Sequence, residues 1–180
     1  MSAFLRVVAH RGYTGATIPQ VAAAAGLAPG LIHYHFRSKQ ELLLELLRHL
    51  RGVVRQRLHR RRRPGDDAAA QLDAFIDAHL AIEEDADRLA VACWQVLGAE
   101  ALHEPTLGRE YRRVVRGQLR DLERILARWP GVRRGEVRRA AAAILAAVQG
   151  YFNLAATNPR AIPTGTAAAS LRQMARALLP

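Results

Sequence analysis

Three helix-start signals follow one another closely between residues 17 and 41, and they constrain the fold more than any other feature of this sequence. Thr17 is a hydroxyl N-cap before IPQVAAAAG, which has proline in its first turn and Gln20 three residues after the cap. The segment PGLIHYHF begins with proline at a favourable first helical position, and Ser38 with Glu41 then form a second capping box. The pattern predicts two short helices joined at Gly26 by a tight turn of about four residues, with a helix on either side, which is a helix-turn-helix.

The rest of the chain also carries helix-forming signals. Most of its 8 prolines lie at the ends of segments, so long stretches rich in alanine, leucine, arginine and glutamate stay uninterrupted. Neither sustained alternation of branched residues nor an Asn-Gly or Asp-Gly turn marks a strand. We therefore expect an all-α protein with a helix-turn-helix domain over residues 1–46, a fourth helix that continues to about residue 60, and a second helical domain over residues 47–180.

Basic charge is concentrated in the first third of the chain. Residues 1–63 hold 12 of the 27 Lys and Arg and 2 of the 16 Asp and Glu, a net charge of +10, whereas residues 64–180 carry a net charge of +1. Such a segment favours a polyanionic partner. The arginine run at 60–63 would lie ~32 Å from the start of the fourth helix, far beyond the ~8 Å screening length at physiological salt. We therefore interpret this run as cations at the C-terminus of the fourth helix, where positive charge is favourable.

The two histidines of PGLIHYHF do not have the spacing of a metal site. On a helix His33 and His35 point roughly 200° apart, so they cannot close on one ion as an i, i+4 pair would. No acid or nucleophile in the segment is spaced to orient either ring. We therefore expect no metal, no cofactor and no catalytic cluster, and we do not expect an enzyme.

The stretch GYTGATIPQVAAAAGLAPGLIHYHFRSKQELL, residues 12–43, resembles the DNA-binding motif of the TetR family of transcriptional regulators. The likeness lies in the Gly-Tyr before the second helix, the threonine cap, the Ala-Gly at the turn, the glycine of the recognition helix, the aromatic-Phe at its end and the following Ser-Lys. Ala28 departs from the pattern, because the family usually has Ser or Thr at this cap. The missing oxygen loses about 1 kcal/mol of capping.

The resemblance implies a role for each residue of the recognition helix. Leu31, His33 and Tyr34 would lie near base edges or sugars of a double-stranded operator, His35 would take the place of the family's phosphate-binding tyrosine, and Lys39 would reach the backbone. A second interpretation makes His35 a partly buried residue packed against the motif. The predicted DNA-binding residues are Thr17, Pro29, Gly30, Leu31, His33, Tyr34, His35, Arg37 and Lys39.

The opposite side of the recognition helix should be covered. Ile32 and Phe36 are four residues apart and therefore share a helical face. We expect them to form a small core with Val21, Ala25 and Leu42.

The helices of the second domain are more apolar. Residues 87–102 are nearly apolar all round and should be central. Two alanine-rich helices, at about 135–157 and 166–179, permit close approach of helix backbones; by the resemblance they would form a four-helix homodimer interface with a second copy, or else they cap the core of the monomer. The longest apolar stretch, 140–156, is broken by Gln149, Gly150 and Asn153, so we expect a buried helix and no membrane span. A single cysteine and no export signal favour the cytoplasm.

An effector pocket, if the second domain has one, should lie among its central helices. The region from Trp94 to about residue 126 is similar to the choline-responsive betaine-operon branch of the family. Aromatic side chains could form a cage for a quaternary ammonium, but they fill apolar cores as readily. The candidate lining residues are Phe75, His79, Cys93, Trp94, Gln95, Tyr111, Gln149, Tyr151 and Asn153.

Together these features predict a homodimeric, ligand-responsive transcriptional repressor. It would bind a palindromic operator through the helix at 29–36 and be released by a small molecule in the second domain. Two alternatives stay open: a DNA-binding regulator without an effector, and a helical ligand-binding protein or enzyme that keeps a degenerate motif.

Overall fold

A computed structural model of the chain describes residues 1–81 and 85–180, and within these residues the protein is all-α, as predicted. The described residues contain no strand. Their helices are α1 (Ser2–Gly15), α2 (Ile18–Ala25), α3 (Pro29–His35), α4 (Lys39–Arg61), α5 (Ala68–Leu80), α6 (Asp85–Glu100), α7 (Pro105–Leu126), α8 (Arg134–Thr157) and α9 (Ala167–Ala177).

The chain packs as two compact units. Unit 1 contains α1 to α3, the start of α4, all of α6 and the start of α7; unit 2 contains the rest of α4 and α7 together with α5, α8 and α9. This grouping differs from a linear division at residue 46, because α6 packs against α1. The two domains over 1–46 and 47–180 stay a prediction.

Unit 1 is built around the apolar face of α1. Phe4 and Val8 are fully buried, and α1 kinks at Gly12, whose φ of 66° and ψ of 179° interrupt the helix. The segment 87–102, predicted to be central in the second domain, forms most of α6 and packs against α1 instead. There the buried Cys93 Sγ donates to the Leu5 carbonyl at 3.2 Å, and burial raises the pKa of this thiol to about 12.

Unit 2 is held together by apolar packing and by ion pairs on one side. Helices α5, α8 and α9 pack against one another. Two arginines one turn apart on α9 meet two aspartates one turn apart on α5: Arg172 pairs with Asp77, and Arg176 Nη2 lies 2.8 Å from Asp73 Oδ2. These pairs fix the position of α9 along α5.

Helix α8 is covered on one side only. Ile144, Val148 and Phe152 are buried, whereas alanine, glycine and leucine on the opposite side are exposed. By length and composition alone, α8 is the one helix among those described that is long and apolar enough to cross a membrane. Of its apolar 18-residue segment, 33% is buried inside the protein. The apolar stretch at 140–156 therefore forms a helix that is buried on one side only, which corrects the expectation of a buried helix.

Candidate DNA-binding surface

The helix-turn-helix predicted at 17–36 is present in unit 1, and local contacts explain its geometry. The backbone N–H of Thr17 donates to Gln20 Oε1 at 3.2 Å, which closes the start of α2. Gly26 ends α2 in the left-handed conformation, with φ at 67°, and the Leu27 N–H then donates back to the Ala22 carbonyl at 2.9 Å. Helix α3 follows at once, with Pro29 in its first turn and no side-chain hydrogen bond at Ala28, as expected.

Helix α3 has seven residues, and only Ile32 among them is buried. Tyr34 is 82% exposed and Leu31 is 42% exposed, although both are large side chains. Pro29, Gly30, His33 and His35 are also exposed. Six of the predicted DNA-binding residues thus share one short helix with almost nothing covering it.

The small core behind α3 follows the prediction with one correction. Val21, Ile32 and Leu42 are buried, as expected, and Phe36 is half-buried. Ala25 was expected in this core but is exposed, because it is the last residue of α2 and lies at the edge of the turn. Ala22 is fully buried in its stead.

Polar contacts position the residues around α3. The ring of His35 meets that of Tyr34 edge to face, with centroids 5.1 Å apart, and the exposure of His35 disfavours a partly buried role. The backbone N–H of Arg37 donates to Glu41 Oε2 at 2.8 Å, while the arginine side chain stays exposed. The Glu41 N–H donates to Ser38 Oγ at 3.1 Å, so this predicted capping box does start α4.

Lys39 differs from the other predicted DNA-binding residues because it is tied to its own unit. Its Nζ donates to the Thr14 carbonyl at 3.2 Å and lies 4.2 Å from the centre of the Tyr13 ring. Partial burial lowers the pKa of Lys39, and the negative charge of Glu100 opposes this shift. Sequence reasoning missed the part of Tyr13, although the Gly-Tyr pair had marked its position.

The candidate effector residues fall into both units. Cys93, Trp94, Gln95 and Tyr111 belong to unit 1. The rings of Trp94 and Tyr111 lie 5.2 Å apart, and a Cβ built on Gly98 would come within 3.2 Å of Tyr111 Oη. The phenol therefore occupies the space that a side chain at Gly98 would need, and its burial raises the pKa of Tyr111.

In unit 2, Phe75 and His79 stack on α5 with ring centroids 4.3 Å apart. His79 Nδ1 lies 2.8 Å from the Phe75 carbonyl and Nε2 lies 3.1 Å from Gln118 Nε2, so the neutral ring donates through Nδ1–H and accepts through Nε2. Burial lowers the pKa of His79 to about 4. Gln118 was missed, because a partner 39 residues away leaves no local pattern.

The remaining three candidates lie on α8. Gln149 and Tyr151 are half-buried, and Asn153 is exposed. Asn153 is thus on the uncovered side of α8, next to the exposed Leu154. The role of all nine candidates in ligand binding stays a prediction.

Comparison with known proteins gives a family match for the N-terminal part of the chain. Residues 1–46 match the model described as bacterial regulatory proteins, tetR family. The chain is 33% identical over 113 residues to the HTH-type transcriptional regulator BetI of Escherichia coli, a match covering 61% of this chain and 56% of that protein. The chain thus spans about half the length of this curated relative.

Solved structures extend the similarity to the whole chain. A transcriptional regulator from Rhodococcus sp. Rha1 has a TM-score of 0.86 at 26% identity, over 98% of this chain and 92% of that one. A regulator from Saccharomonospora viridis, solved in complex with choline, has a TM-score of 0.81 at 22% identity, over 97% and 90%. The second likeness shows the fold alone.

Proposed function

We propose that this chain is a TetR-family regulator related to BetI and that it binds a double-stranded DNA operator through the exposed face of α3. The observation that carries the proposal is the exposure of Leu31 and Tyr34 on a helix held in place by one buried residue, Ile32. Large side chains that are this exposed to water contribute little to the stability of the fold. In the major groove they would contact base edges and thymine methyl groups.

Phosphate contacts would come from the residues that flank α3. Arg37 is exposed directly after the helix, and Gly30 leaves open space where a side chain would stand, so a backbone phosphate can approach closely. The Lys39 ammonium would exchange the Thr14 carbonyl for a phosphate oxygen. Such contacts set the register on the duplex, and base contacts supply the sequence preference.

The functional molecule in this proposal is a homodimer formed through α8 and α9. On α8 the exposed residues Ala143, Ala146, Gly150 and Leu154 recur every three or four positions and so form one stripe. Met174 on α9 and Leu178, directly after α9, are 51% and 55% exposed and lie four residues apart. Small residues let a second helix approach closely, and two copies would place two α3 helices on half-sites ~34 Å apart, which implies a palindromic operator.

We further infer that the protein is a repressor in the cytoplasm that is released from DNA by a small molecule. A ligand that binds two shapes of the dimer with different affinity shifts the population between them. The buried His79, which stacks on Phe75 and accepts a hydrogen bond from the half-buried Gln118, supports an effector site in unit 2. The choline complex of the Saccharomonospora viridis protein makes a quaternary ammonium the first ligand to test.

The decisive experiment selects an operator from a random duplex pool and then measures its affinity at several salt concentrations. Tyr34→Ala should weaken specific binding by about 10- to 100-fold, the loss typical of one base-contacting side chain. The matched control is Leu102→Ala, which also shortens a large exposed side chain (81% exposed) but lies outside α3 and the proposed dimer interface, and should leave affinity within about twofold. The proposal would be refuted if no DNA sequence were selected, or if the two variants bound the operator with equal affinity.

The alternative without an effector is separated by a second measurement. Thermal midpoints are recorded against choline, related ammonium compounds and a wider metabolite set, since a ligand of the folded state raises the midpoint. A rise that also weakens operator binding supports the ligand-responsive repressor. Specific DNA binding with no stabilising compound would favour a regulator that works without an effector.

A further inference from the structure

An open groove in unit 2 is lined by arginines of two helices. Its volume is about 470 Å³, and its walls come from the end of α7 and the start of α8. The groove differs from both surfaces described above, because it contains neither α3 nor the exposed stripe of α8. Its lining residues are Arg120, Glu123, Arg124, Ala127, Arg134, Val137 and Arg138.

The charges of this groove are poorly balanced. Arg120, Arg134 and Arg138 have no ion-pair partner in residues 1–81 and 88–180, whereas Arg124 pairs with Asp121. Glu123 is the one acid of the lining. Apart from the Arg124–Asp121 pair, three guanidinium groups therefore share the groove with one carboxylate, and an anion between them would relieve their mutual repulsion.

The spacing of the arginines is regular. Arg120 and Arg124 are four residues apart on α7, and Arg134 and Arg138 are four residues apart on α8. Each pair thus lies on one helical face, and like charges at this spacing are unfavourable in an isolated helix. A planar guanidinium donates two parallel hydrogen bonds to a phosphate, so two such pairs match a ligand with more than one phosphate group.

We propose that this arginine groove binds a small molecule that carries a diphosphate or longer phosphate chain. Val137 and Ala127 supply an apolar surface beside the cations, which suits an organic group attached to the phosphates. The groove would be a ligand site additional to the DNA-binding surface and the candidate effector residues. Occupancy would also stabilise the junction between α7 and α8.

Isothermal titration calorimetry tests the proposal. The full chain is titrated with sodium tripolyphosphate and with ADP at constant ionic strength. We expect one saturable site per chain, and sulfate at equal charge concentration should not compete with it. The double variant R120Q/R138Q, which removes one cation from each wall, should weaken binding at least about tenfold. The control R116Q/R128Q removes the same charge at exposed positions outside the groove and should stay within about twofold.

Two results would overturn the proposal: no saturable binding of either probe, or equal loss in the two double variants. The second result would show general attraction to a basic protein. Binding that is lost in Arg37→Ala but kept in R120Q/R138Q would place the phosphates on the DNA-binding surface instead, and would also overturn it. Because R120Q/R138Q should bind the operator within about twofold of the unchanged chain, failure here is distinct from failure of the DNA-binding proposal.

Discussion

Helices α3 and α8 each leave one face uncovered, and the two faces are opposite in character. The seven residues of α3 expose large side chains, with Tyr34 at 82%. In the middle of α8, between residues 142 and 150, the exposed residues are alanine and glycine: Ala142, Ala143, Ala146 and Gly150. Large side chains with polar ends reach into a groove, whereas small ones let another helix backbone come close. Side-chain size at an uncovered face therefore indicates which kind of partner would cover it.

The two faces also differ in how they are supported. Helix α3 is fixed by the buried Ile32 and by the turn at Gly26. Helix α8 packs on α5 and α9. A partner of α3 would thus meet a short, locally held helix, and a partner of α8 would meet the edge of an apolar core.

The largest expected effect is on the α8 face. In Gly150→Arg a guanidinium would stand in the middle of the proposed helix contact, where removal from water costs several kcal/mol. We expect the dimer dissociation constant to rise at least about 1000-fold, equivalent to about 4 kcal/mol. Sedimentation velocity over a concentration series measures this constant.

The control for that variant is Gln56→Arg, which adds the same side chain at an exposed position of α4. It should leave the dimer constant within about threefold. If Gly150→Arg remained a dimer at low concentration while folded normally, the small-residue stripe would not be the interface. The exposed small residues of α8 would then not indicate a helix partner.

A second prediction compares the two sides of α3. Ile32→Ala opens a cavity beneath the helix and should lower the free energy of unfolding by about 2–5 kcal/mol. Tyr34→Ala removes a larger side chain from the same helix but should change stability by no more than about 0.5 kcal/mol, because that ring lies in water. Urea unfolding followed by circular dichroism measures both. Equal losses would mean that the Tyr34 side chain contributes as much to the stability of the fold as the buried Ile32 does.

The sequence predicted α3 better than α8, and the reason is local. Thr17, Gly26, Pro29 and Ser38 act through the backbone of their own turns, so their pattern is visible in a few residues. The contrast between buried Ile144 and exposed Ala143 depends on where other helices lie. An alanine-rich helix has the same composition whether its second side is covered or bare, so only the structure separates the two sides.

Prediction of the candidate sites from the sequence is limited in the same way. The exposed DNA-binding residues lie in one short segment, and the structure places them together on and beside α3. Gln118, by contrast, reaches His79 from another helix, and the arginine groove joins α7 to α8. Contacts between residues far apart in the chain depend on packing, which no periodicity in the sequence specifies.

The smallest expected effect concerns His79, a polar group on a covered helix, in contrast to the exposed histidines of α3. Because burial lowers its pKa from 6.5 to about 4, His79 stays neutral in the folded chain but takes up a proton in the unfolded chain. Its contribution to stability is therefore complete above pH 6.5 and is lost as the pH falls toward 4. Between pH 7 and 5 this loss amounts to about 2 kcal/mol. Urea midpoints across that range should fall less steeply in His79→Gln than in the unchanged chain. An unchanged slope in His79→Gln would mean that the buried ring accepts a proton as readily as an exposed one.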